Sequence, residues 1–123
     1  QFNFRFNPAS PAEVLRQRTE EILAQHGLDF SVDWTLGAEP FLTPPGALVE
    51  AVQAAVFAVT GREAPCSTTG GTSDARFLAR HCPQVVELGP VNTSVHQIDE
   101  WADVAELDQL AAIYEQVLER LLA

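Results

Sequence analysis

"GAEPFLTPPG", residues 37–46, holds two glycines and three prolines in ten positions, and it interrupts every periodic pattern that reaches it. Proline removes backbone donors and glycine loosens the chain, so this composition predicts a hinge or domain boundary. The fold is read outward from it in both directions.

Upstream, Phe2, Phe4 and Phe6 alternate with Asn3, Arg5 and Asn7, the period of two that predicts a half-buried strand. "SPAE" then places Ser10 as an N-cap, Pro11 at the first helical position and Glu13 three residues after the cap, a capping box. The helix is expected to run to about His26, with Gly27 as its left-handed stop. From Leu28 to Leu36 apolar and polar residues alternate again. Residues 1–36 therefore read as a strand, helix, strand unit.

Downstream, the run from Ala47 to about Val59 predicts a buried helix closed by Gly61. Cys66 to Thr68 reads as a short strand, "SDARFLARH" as a helix with Ser73 near its N-cap, and "QVVELG" as a buried strand. Asp103 caps a last helix in which Leu107, Leu110, Tyr114, Val117, Leu118 and Leu121 recur at helical spacing. Strands alternating with helices predict a mostly parallel α/β layer.

The 123 residues have the length of one ordinary domain, and 46% of them are apolar, enough for a core. A formal net charge of −10 repels phosphate backbones and anionic membrane surfaces, which argues against nucleic-acid and lipid partners. No apolar run reaches the roughly 20 residues of a membrane span. Cys66 and Cys82 make no disulfide framework; they are read as buried thiols in a reducing compartment. The chain contains no methionine, and an apolar strand is already under way at residue 2. It is therefore expected to be a piece of a longer or processed protein.

Three places bear chemistry. "STTGGTSDARF", residues 67–77, joins Gly70 and Gly71 to Thr72 and Ser73 at the mouth of a helix. It reads either as a capped turn or as an anion site built on unpaired helix amides, without the lysine a nucleotide loop would want. "ELGPVNTSVHQIDE", residues 87–100, leaves a strand end and presents Asn92, Thr93, Ser94, His96, Asp99 and Glu100. Loops at strand ends are where α/β proteins bind ligands. His96 reads as a structural histidine or as a metal ligand whose tautomer a carboxylate such as Glu100 would fix. Arg5, on the first strand, suits bidentate recognition of a carboxylate, or lies solvated on a strand face. Asp74 and Arg76 read as a local pair.

"FNFRF", "GAEPFLTP", "TGGTSDARF", "VVELGPVN" and "VHQIDE", in this order and spacing, resemble the C-terminal third of the succinyl-diaminopimelate desuccinylase family. The resemblance covers essentially the whole chain. "GGTSD" followed by "ELGPVN" and a histidine separates that family from related acetyl-ornithine deacetylases and dinuclear zinc peptidases, which stay as the alternative. It implies an α/β zinc-aminopeptidase-like fold in two parts: residues 1–39 as the C-terminal part of a lid and dimerisation domain, residues 40–123 as the end of the catalytic domain. It implies a cytoplasmic homodimer that uses two zinc ions to hydrolyse N-succinyl-L,L-diaminopimelate, a polyanionic small molecule, to succinate and L,L-diaminopimelate.

Carried over by position, the resemblance makes His96 a zinc ligand, Arg5 a lid arginine that grips a substrate carboxylate, Asn92 a hydrogen-bonding partner of substrate, and Gly71 with Thr72 the lining of the pocket. Ala75 stands where the family usually has glycine. The family's other metal ligands, its general base and its oxyanion-stabilising histidine would all lie upstream of residue 1. The 123 residues alone are accordingly expected to be inactive and not to bind both zinc ions. A non-catalytic module that associates through the surfaces so exposed, with exchanged elements, is the remaining reading.

Overall fold

The computed structural model describes residues 1–69, 71, 73–91 and 93–123. The described chain carries four helices, α1 (Ala12–Gln25), α2 (Ala47–Thr60), α3 (Ala75–Leu78) and α4 (Val104–Leu122). It divides into two compact units, Gln1–Leu42 and Thr43–Ala123.

None of the described residues belongs to a β-strand. The strands expected at residues 2–7, 28–36, 66–68 and 84–89 are therefore corrected to irregular chain, and the strand, helix, strand lid unit is not formed. The physical reason is visible in the first unit. Alternation tells which side chains share a face, but a strand also needs a partner that takes its amides and carbonyls. Phe2 and Phe4 do share a face and meet Trp34 through their rings, with centroids 5.7 and 6.3 Å from the indole. No backbone ladder joins the two segments.

In the first unit α1 begins one residue later than the capping box predicts. The Ser10 amide donates to Asn7 O at 3.0 Å in a turn of its own, and no side chain caps the helix, whose N-cap position is Pro11. The other end follows expectation. Gly27 has φ +66°, its amide bonds Ala24 O at 2.9 Å and the Leu28 amide bonds Leu23 O at 3.3 Å, the two bonds of a Schellman motif. α1 buries no residue fully. Trp34 is laid against it, its Nε1 donating to Glu20 Oε1 at 2.7 Å and its ring 6.0 Å from the Arg16 guanidinium carbon.

The second unit is organised around α2 and α4. Ala51, Val52 and Ala55 on α2 and Ile113 and Val117 on α4 form the core, with Leu48, Val56, Val59, Val86 and Leu88 packed against it. The α2 residues fall on one face at helical spacing, and Ala55, wholly buried, presents only a methyl group to α4. Burying a side chain such as Ile113 contributes about 1.5–3 kcal/mol. Gly61, at φ +69°, ends α2, and Asp103 caps α4 by accepting the Ala105 amide at 2.9 Å.

The start of α2 is capped from a distance. The Gln84 carboxamide accepts from the Leu48 amide at 2.9 Å and donates to Pro44 O at 3.1 Å. Next to it, Thr43 Oγ1 donates to Val85 O at 2.5 Å and accepts from Val85 N at 3.2 Å. A Cβ at Gly46 would run into the Gln84 amide, so close approach, and not φ, selects glycine there.

Candidate functional site

His96 lies in the second unit, in the loop between the 84–89 segment and α4, and it is exposed. Its backbone is left-handed, φ 60°, and Asp99 three residues on has φ 61°. For a residue with a Cβ this conformation costs about 1–2 kcal/mol, so the surroundings must hold it. They do so through five hydrogen bonds. The His96 amide donates to Glu100 Oε2 at 3.2 Å, and the Gln97 amide donates to Ser94 O at 3.0 Å. Gln97 Nε2 donates to Thr93 O at 3.0 Å. Ser94 Oγ donates to Trp101 O at 2.8 Å and accepts from Trp101 N at 3.0 Å.

Glu100 thus takes a different part from the one its spacing suggests. Its carboxylate fixes the backbone of His96 and not the imidazole. Among the described residues neither imidazole nitrogen makes a hydrogen bond, which leaves both available to a ligand. One neutral imidazole fits one position of a zinc site, which takes nitrogen, sulfur and oxygen donors. No three His, Cys, Asp or Glu side chains among the described residues converge to hold a metal. The described residues therefore present no closed set of metal ligands.

The glycine-rich loop is partly described. Thr72 and Asn92, both read as substrate contacts, lie outside the described residues, as does Gly70. At Gly71 a Cβ would meet no atom of the described residues within 4 Å, its chain neighbours aside. Ser73 Oγ accepts from the Ala75 amide at 3.1 Å, but the N-cap position is Asp74, whose side chain makes no capping bond. The helix it opens is a single turn of four residues, so its dipole is small and one of its amides is already taken. The anion site expected at this helix is weaker than its sequence suggests. Ala75 is buried, its methyl accommodated on that turn. Asp74 and Arg76 form no ion pair; the Arg76 guanidinium sits over the Phe77 ring, its carbon 4.7 Å from the centroid. Arg76 Nε is buried without a hydrogen-bond partner among the described residues.

Arg5 is exposed and belongs to the first unit, on the segment whose phenylalanines meet Trp34. Cys66 and Cys82 are free and exposed, against the expectation of buried thiols. No helix among the described residues is long and apolar enough to cross a membrane.

Two residues with clear parts in this architecture gave no signal in the sequence. Ser94 is one of several polar residues in its loop until its bonds to Trp101 are seen, and Gln84 acts on a helix whose first turn is 36 residues away.

Comparison with known proteins sets these positions in a family. The chain is 58% identical over 122 residues to a succinyl-diaminopimelate desuccinylase of Methylibium petroleiphilum, covering 99% of this chain and 32% of that protein. A succinyl-diaminopimelate desuccinylase of Cupriavidus taiwanensis is 56% identical over 122 residues, with the same shares. One from Polaromonas naphthalenivorans is 57% identical over 120 residues, 98% of this chain and 30% of that protein. The chain therefore spans about a third of the length of these curated relatives. The pattern of Peptidase family M20/M25/M40 matches residues 6–120, and the chain belongs to that family.

Proposed function

We propose that this chain is the C-terminal third of a zinc-dependent amidohydrolase that converts N-succinyl-L,L-diaminopimelate to succinate and L,L-diaminopimelate. The observation that carries the reading is the 58% identity, across 99% of the chain, to a relative named for that activity. The His96 loop is compatible with it, since the imidazole is exposed on a left-handed backbone that Glu100 holds through the His96 amide. The division into residues 1–42 and 43–123 supports a lid portion followed by a catalytic portion.

In this reading each residue has a bounded task. His96 gives one nitrogen to zinc from a backbone that Glu100 holds. Arg5 offers a planar fork that matches a substrate carboxylate. Gly71 and Thr72 are assigned to the lining of the substrate pocket, and Asn92 to a hydrogen bond with substrate. When bound, zinc supplies Lewis acidity at the succinyl amide. The second zinc, the remaining ligands and the general base belong to the rest of the protein. The working form is a cytoplasmic homodimer, and its substrate is polyanionic although the chain itself is strongly acidic, so the attraction is local to groups such as Arg5.

The test is hydrolysis by two proteins, the complete enzyme and the 123-residue piece, on N-succinyl-L,L-diaminopimelate, N-acetyl-ornithine and a dipeptide. Zinc-dependent release of succinate by the complete enzyme alone is the expected result. Preference for either other substrate, or turnover by the isolated piece, would overturn the reading.

A further inference from the structure

We propose that Ser94 is a positioning residue for His96, closing the 94–101 loop onto the Trp101 backbone so that the imidazole is presented to the metal. The proposal rests on the reading of His96 as a zinc ligand.

Three observations lead to Ser94. It is 5% exposed, the one buried polar residue among those described, while its loop neighbours from Val95 to Trp101 are exposed. Burial of a lone hydroxyl costs free energy unless its hydrogen bonds are made, and here both are. The Oγ donates to Trp101 O at 2.8 Å and accepts from Trp101 N at 3.0 Å. One hydroxyl thereby serves as the full main-chain partner of Trp101, which no backbone segment supplies.

The bonds are placed to act on His96. Ser94 O also accepts the Gln97 amide at 3.0 Å, so the turn that carries His96 is tied to Ser94 through its carbonyl and to Trp101 through its hydroxyl. Glu100, adjacent to Trp101, is brought by the same closure to where its carboxylate takes the His96 amide at 3.2 Å. Loss of the Ser94 hydroxyl therefore frees the Trp101 end of the loop, from which Glu100 reaches the His96 amide, and loosens the left-handed backbone at His96. Groups that orient a ligand from behind commonly change metal affinity 10–100-fold when removed, an order-of-magnitude expectation that applies to Ser94.

The experiment uses the complete protein with four substitutions, Ser94→Ala, Ser94→Thr, Glu100→Gln and His96→Ala. Zinc affinity is read by competition with a chromophoric chelator, and the visible spectrum of the cobalt-substituted protein reports ligand geometry. Ser94→Ala is expected to weaken zinc binding by roughly 10-fold or more and to shift the cobalt bands. Ser94→Thr, which keeps the hydroxyl, is expected to restore both. Glu100→Gln, which keeps size and an acceptor oxygen, is expected to shift the bands less than Ser94→Ala does.

Unchanged zinc affinity and spectrum in Ser94→Ala, with His96→Ala defective, would overturn the positioning role alone. Unchanged affinity in His96→Ala would overturn the ligand reading beneath it. Should Ser94→Ala not fold, Ser94→Val, which matches threonine in size but lacks the hydroxyl, is set against Ser94→Thr: weaker zinc binding and shifted bands in Ser94→Val alone uphold the closure, and equal affinity and spectra in the two overturn it.

Discussion

The two units of this chain are held together by different means. In residues 43–123 α2 and α4 bury a shared apolar face, and α2 carries one charged residue, Glu50, in fourteen. In residues 1–42 α1 is also fourteen residues long but carries five charges and buries nothing fully. Its fixed points are the indole of Trp34, met by Phe2, Phe4, Arg16 and Glu20, and two exposed ion pairs, Arg16 with Glu13 and Arg18 with Glu21. Exposed pairs of that kind contribute about 0–1 kcal/mol each. A helix can thus be well formed in both settings, yet only the second unit has a core that a single deletion would open.

That contrast can be broken by substitution. The largest effect is expected from Ile113→Ala, which empties space between α2 and α4 and should cost about 2–4 kcal/mol in denaturant unfolding. A loss below about 1 kcal/mol would mean that the helix pair is not the core of its unit. Trp34→Ala should cost less, about 1–2 kcal/mol, because the indole is only half-buried, and it should release Phe2 and Phe4 together. Near-ultraviolet circular dichroism follows that release directly, and retention of the aromatic signal from the phenylalanines would contradict it.

The smallest effect sharpens the picture of the second unit. Gly46→Ala should cost about 1 kcal/mol by pushing the Gln84 carboxamide off Pro44 and Leu48. Gln84→Ala should cost a similar amount through the lost cap. Combined, the two should cost clearly less than their sum, since the clash and the cap are one contact; strict additivity in the double-mutant cycle would refute that coupling.

How much of this was legible in the sequence follows from range. Local signals were sound where one residue does the job: Gly27 and Gly61 stop their helices, and Asp103 starts one. The Ser10 box failed because a competing turn to Asn7 takes the Ser10 amide. The strands failed because alternation encodes a face and not a partner. At the candidate site, His96 stood out by residue type, but its left-handed backbone, the true target of Glu100 and the closure by Ser94 are products of folding with no periodic trace. Gly71 was legible only as a place where backbone can be approached.

The contacts of Gln84 and Val85 with Pro44, Leu48 and Thr43 also set an order of events. They join residues 36 to 42 positions apart, so closing them costs on the order of 3 kcal/mol of chain entropy before any packing is gained. During synthesis, α2 is complete well before Gln84 exists, and its first turn must wait uncapped for that residue to arrive. Helix α4 is made later still. Completion of the second unit therefore awaits residues made well after α2, and its packing depends on the meeting of residues distant in sequence as well as on the winding of its helices.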